Sequence, residues 1–180
     1  MAEMTNQKKY ELQKPFPAED IEWRVSRTGK TSSGKAWAMV LAYVTSRAIQ
    51  DRLDSVFGID GWQNEFKEAP DGGVMCGISV KFDGEWVTKW DGAENTNIEA
   101  VKGGLSGSMK RAGVQWGIGR YLYKLTENFV NMADEKPEKT DGWHRHYDKD
   151  SKTQYWWKTP RLPYWALPPA GPENDNETEV

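Results

Sequence analysis

The residues best placed to do chemistry in this chain are cations set at helical intervals among apolar side chains. In MKRAGVQWGIGRYLYKL (109–125), Lys110, Arg111, Arg120 and Lys124 alternate with large hydrophobic residues, and Lys102 lies upstream. At 100° per residue, Lys102, Lys110, Arg120 and Lys124 line one flank of a helix, with Arg111 off that flank. Cations on a rigid wall neutralise phosphates without reading base sequence. The plain alternative is a solvated helix face.

Two further motifs carry weaker signals. GKTSSGK (29–35) satisfies G-x-x-x-x-G-K after the strand-like IEWRVS, but Ala36 stands where a phosphate-binding loop needs a Ser or Thr hydroxyl for magnesium. No acidic partner at the end of a buried strand follows it. A nucleotidase built on this loop is the enzyme-class alternative, and a flexible Gly/Ser/Lys loop is the bland one. His144, His146, Asp148 and Asp150 alternate, so a strand would place them on one face, either as a divalent-metal set or as a polar hairpin end. GIGRYL lacks the third glycine of a dinucleotide fingerprint and closes a helix instead of opening one. No Ser/His/Asp or Cys/His set is visible, so the sequence predicts neither an enzyme nor a cofactor.

The elements that would position these groups follow from periodicity. Val44, Ala48, Ile49, Leu53 and Val56 recur at helical spacing, with Thr45 or Ser46 as the cap. After the turn GIDG, WQNEFKEA reads as a strand. VMCGISVKF alternates cleanly, and Asp83-Gly84 marks a two-residue hairpin into EWVTKW. Trp86, Trp90 and, further on, Trp116 are expected on inward faces. A second helix is expected from about Asn97, with Ile98, Val101, Leu105, Met109, Ala112, Trp116, Gly119 and Tyr123 as its stripe. Val114, Ile118, Tyr121 and Leu122 form a second apolar patch, so the helix should be sandwiched between its own sheet and a neighbouring subunit. Gly113, Gly117 and Gly119 each cost about 1 kcal/mol in a helix interior relative to Ala. Close packing at a subunit seam would account for them.

The fold class predicted is α+β: a three-stranded antiparallel meander packed on a long helix, followed by an aromatic hairpin. The division expected is a flexible arm at 1–20, a core at 21–130, a linker with aromatic hairpin and Pro-anchored strap at 131–170, and an acidic disordered tail at 171–180. The hairpin should turn near DKDSK and pack on the main sheet or on a neighbour.

Charge constrains the mode of any anion binding. The formal net charge is −3, yet GPENDNETEV alone carries four carboxylates and no cation. A nearly neutral body can hold an anion only through local placement of its cations. Ten tryptophans are available for core packing or for base stacking. A single cysteine, Cys76, excludes an intrachain disulfide. The absence of an apolar span or of a signal-peptide core predicts a cytoplasmic protein with no membrane contact.

YVTSRAIQDRLDSVFGIDGW (43–62), a meander, and MKRAGVQWGIGRYLYKL together resemble the Rad-fifty-two-type single-strand annealing proteins, in particular the Sak-type recombinases of phages. The resemblance spans roughly 21–126 and implies a β-β-β-α core and a ring oligomer. It also implies ATP-independent annealing of complementary single strands in homologous recombination and repair. The implied partners are single-stranded DNA, further copies of the chain, and a single-stranded DNA-binding protein or an exonuclease. The setting would be a bacterial host cytoplasm for a phage-encoded protein. The family's groove Lys-Arg pair falls on Lys110 and Arg111. A groove arginine falls on Arg47, and another falls on Val114, with Arg120 or Lys124 as its substitute. An outer-groove lysine falls on Phe82, beside Lys81. A non-annealing single-strand coating protein is the remaining alternative.

Overall fold

The computed structural model describes residues 4–70, 72–94, 100–125 and 128–169. Helix α1 spans Asn6–Gln13, strands β1 and β2 Ile21–Lys30 and Ala36–Val44, and helix α2 Ser46–Phe57. Strands β3, β4 and β5 span Trp62–Glu68, Val74–Phe82 and Glu85–Ala93, and α3 spans Ala100–Gln115. Strands β6, β7 and β8 cover Asn128–Ala133, Trp143–Asp148 and Thr153–Lys158. All strand pairing is antiparallel, in a five-stranded sheet of order β1-β2-β6-β8-β7 and a three-stranded sheet of order β3-β4-β5. The α+β class is therefore as expected.

Alternation decides what each sheet buries. In β1 and β2, Ile21, Trp23, Ala38, Val40 and Val44 enter the core, which sends Glu22, Arg24, Leu41 and Tyr43 to the opposite face. Cys76, Ile78 and Val80 of β4 are fully buried and face α3, where Trp116 just beyond the helix donates its indole N–H to the Ile78 carbonyl at 3.0 Å. Phe82 pairs with Glu85 around Asp83 and Gly84, whose φ values of 43° and 88° are those of a type I′ turn. This register places Trp86 and Trp90 on the face away from α3, and Trp86 is 43% exposed. Of the three tryptophans expected inward, Trp116 alone belongs to the core.

Helix α2 starts as the sequence suggests: the Thr45 hydroxyl accepts the Ala48 N–H at 3.1 Å. Helix α3 ends earlier than its apolar stripe. Gly117 N donates to the Val114 carbonyl and Ile118 N to the Gly113 carbonyl, a Schellman termination that uses Gly117 at φ +93°. Gly119, at φ +67°, opens a 3-10 turn over Arg120–Lys124. Two of the three glycines thus stop the helix instead of packing it. Gly113 is the packing glycine, because a Cβ there would stand 3.1 Å from Ile49 Cδ1 of α2 in the same protomer. The expected helix start at Asn97 lies outside the described residues.

One other expectation changes. The segment read as a loose arm contains α1, capped by Thr5, with Leu12 and Phe16 buried. Arg52 of α2 holds it, its Nη1 donating to the carbonyls of Glu11 at 2.8 Å and Lys14 at 2.7 Å. GKTSSGK joins β1 to β2, with Lys30 paired to Ala36. A strand follows it where a phosphate-binding loop requires a helix, and the nucleotidase reading falls. Hairpin β7–β8 turns at 149–152 as expected and completes the main sheet through β8 and β6. His144 is stacked on Trp157 at 4.3 Å and its Nε2 is 2.7 Å from Thr159 Oγ1. Among the described residues no cluster of metal-ligating side chains occurs, and no helix is long and apolar enough to cross a membrane. The acidic tail 171–180 lies outside the described residues.

Candidate nucleic-acid interface

Residues of β1 and β2 on one side, and of α3 and the turn that follows it on the other, line a groove of ≈ 530 Å³. Its walls include Arg24, Leu41, Tyr43, Lys110, Arg111 and Val114. The strand residues are there because their neighbours Trp23, Ala42 and Val44 point to the core. Met109 and Ala112 are buried against the protein interior, which leaves Lys110 and Arg111 at the edge of α3.

The Lys110 ammonium lies 4.8 Å from the centroid of the Tyr43 ring. Burial lowers its pKa, and the nearby Arg24 charge lowers it further against the opposing pull of Glu22. Burial, followed by a hydrogen bond to Glu22, pushes the Tyr43 hydroxyl up to about 12, so it stays protonated and donates to that carboxylate. A half-buried ammonium beside the exposed Arg24 guanidinium, with Glu22 as the nearby carboxylate, forms a place where an added anion is favourable.

Arg111 is held differently. Its Nε lies 3.0 Å from Asp91 Oδ1 on β5, while Gln115 Nε2 donates to Asp91 Oδ2 at 2.9 Å. Burial alone would raise the Asp91 carboxyl, but hydrogen bonds from Gln115, the Gly92 N–H and Arg111, with the Arg111 charge, together hold it below the ordinary value. Asp91 therefore steadies the guanidinium at the groove edge and offsets part of its charge.

The remaining sequence candidates do not gather here. Arg47 is exposed in the first turn of α2 and is not part of the groove lining. Arg120 donates from Nε and Nη2 to the Val114 carbonyl at 2.8 and 2.6 Å, and from Nη2 to the Gln115 carbonyl at 2.9 Å. It closes the C-terminus of α3, where a cation also meets the negative end of the helix dipole. Lys124 is exposed on the 3-10 turn. Lys81 stands on the outward face of the three-stranded sheet, 5.8 Å over the Trp86 ring. Lys102 belongs to the start of α3, and its side chain is outside the described part.

Arg24 and Tyr43 are the groove residues that periodicity had within reach. In IEWRV, burying Ile21, Trp23 and Val25 leaves Arg24 outward, and in AYV, burying Ala42 and Val44 does the same for Tyr43.

Residues 4–144 match the Rad52/22 family double-strand break repair protein. The chain is similar to the single-stranded DNA-binding protein DdrA of Deinococcus deserti, 31% identical over 165 residues that cover 87% of this chain and 68% of the relative. It is similar also to the protein of that name from Deinococcus radiodurans, 35% identical over 127 residues covering 69% and 59%. With a match of this extent laid over α1, α2, α3 and strands β1 to β6, the chain belongs to the Rad52/22 family of double-strand break repair proteins.

Proposed function

We propose that this protein binds single-stranded DNA in the groove between α3 and β1–β2, and anneals complementary strands without ATP in recombination and repair. The observation that carries this reading is the placement of Lys110 and Arg111 on a groove wall opposite Arg24 and Tyr43. Phosphates meet the cations, which lowers the repulsion between two strands, and nothing in that chemistry consumes a nucleotide. The relatives' name, single-stranded DNA-binding protein, supports the binding half of the reading.

A ring of protomers built on the meander and α3 supplies what a net charge of −3 withholds. Each groove contributes a weak contact, and a closed array of grooves turns these into avidity along one strand. The setting proposed is the bacterial cytoplasm, with a single-stranded DNA-binding protein or an exonuclease as a further partner. The protein acts as a binding scaffold and not as an enzyme.

The test is the pairing rate of two complementary fluorescent oligonucleotides, without nucleotide or metal, over a range of salt. Acceleration by the wild type that fades with salt, and its loss in Lys110→Ala/Arg111→Ala, is the expected result. Binding that slows pairing would favour a coating protein, the second reading, which the relatives' name also suits. Unchanged acceleration in the double variant would remove the groove from the mechanism.

A further inference from the structure

The groove opens onto one face of the five-stranded sheet, and that face continues past the family match. Arg24 and Arg27 of β1 and Trp37, Met39, Leu41 and Tyr43 of β2 point to it. Trp37 stacks on Phe129 of β6 with ring centroids 5.1 Å apart, and the Arg27 guanidinium lies 6.0 Å from the Trp37 ring. Phe129 is 52% exposed. The hairpin β7–β8, almost all of it beyond residue 144, carries the same face outward. Trp156 stands opposite Ala133 on one side and Arg145 on the other, Lys136 lies 6.0 Å over its ring, and Tyr147 is 53% exposed.

Core packing does not account for this arrangement. The hairpin's contribution to the core is made on its other face, by Tyr155 and Trp157, both buried beside Met132. The outward strand positions present Arg24, Arg27, Arg145 and Lys158 against the one carboxylate of Glu22. Protein interfaces exclude charge from their centres, whereas here the cations are interleaved with the aromatic rings. Rings that accept any base, alternating with groups that accept phosphate, suit an extended single strand.

We propose that this face is a stacking platform for single-stranded DNA leaving the groove, running over Phe129 to Tyr147 and Arg145 of the hairpin. The proposal rests on the groove being a DNA site, and it assigns the late hairpin the role of lengthening the track on each protomer.

The full chain is compared with Arg145→Ala/Tyr147→Ala, a pair of exposed positions whose loss should leave the circular-dichroism spectrum and melting temperature unchanged. Affinity is measured by fluorescence anisotropy for oligothymidylates of increasing length. Short strands should bind both proteins equally, and longer ones should bind the variant about tenfold more weakly. Tyr147→Phe should retain wild-type affinity, and iodouracil-containing strands should photocross-link to peptides carrying Phe129 or Tyr147. Equal affinity at every length overturns the proposal. So does a change in the sedimentation of the protein alone with DNA affinity intact, which would make the face a contact between copies. Lys110→Ala separates the two readings, since it should weaken every length. If it weakens none while the hairpin variant still loses long strands, the groove reading fails and the platform stands by itself.

Discussion

Arg111 of α3 and Asp91 of β5 are joined across the edge of the candidate groove, Nε to Oδ1, at 3.0 Å. The Arg111 side chain is 55% exposed and that of Asp91 only 17%, so the carboxylate sits behind the guanidinium and not in front of it. Asp91→Ala should therefore strengthen single-stranded DNA binding by a few-fold, as Arg111 regains its full charge for phosphate. Exposed pairs of this kind contribute about 1 kcal/mol or less, which sets the ceiling. Weaker binding by the variant would mean that Asp91 serves the site by orienting Arg111, and titration by anisotropy decides between them.

The same carboxylate makes a prediction about acid. Its folded pKa is depressed, so it contributes stability above the unfolded aspartate value of about 3.9, lost as pH falls through the folded value. In denaturant titrations the wild type should exceed Asp91→Ala near neutrality, and the two curves should converge below about pH 4. A gap that stays constant into acid would show that the carboxylate's charge is not what holds α3 to β5.

Lys110 lies over Tyr43 in partial burial, where replacing water by phosphate is most favourable. Lys110→Ala should lower affinity for single strands and reduce the slope of log K against log salt by about 0.7, the value for one single-strand phosphate contact. Arg120→Ala, which removes bonds to the Val114 and Gln115 carbonyls, should lower the melting temperature and leave the salt slope unchanged. The reverse pattern would return Arg120 to the DNA site.

The Arg52 guanidinium lies 4.0 Å from the centroid of the Phe16 ring while donating to the Glu11 and Lys14 carbonyls. Charged hydrogen bonds of this sort contribute about 1.5–3 kcal/mol. Arg52→Met should cost about that much and open the segment before β1 to limited proteolysis. A variant that resists the protease as the wild type does would show that Leu12 and Phe16 hold the segment unaided.

Much of this architecture is legible wherever one chemical pattern dominates. Thr45 before an apolar-periodic run, Asp83-Gly84 between alternating runs, and the turn before β8 each point to a single local solution. Even the outward Trp86 follows from the two-residue turn, because Phe82 and Glu85 must pair and odd positions of β5 then share the inward face. The end of α3 is harder. Its stripe continues through Tyr123 because a 3-10 turn keeps a similar period, and only the backbone at Gly117 and Gly119 reveals the stop. Helix α1 is polar and owes its place to Arg52, a partner in a different helix that no local pattern announces. The groove needs β1, β2 and α3 brought together, and neither Arg24 nor Tyr43 carries a local mark of that meeting.

The pairing of Trp37 with Asn131 has a consequence for how the chain acquires its structure. Strands β3, β4 and β5 join through short connections and can zip up soon after they are synthesised. The inner edge of β2, by contrast, waits with open amides and carbonyls until β6 arrives, with the whole meander and α3 emerging in between. Contacts this distant in sequence form slowly. The late step in folding should be the docking of β6 with its hairpin onto β2, and until then the chain carries a bare strand edge prone to pairing with the wrong copy.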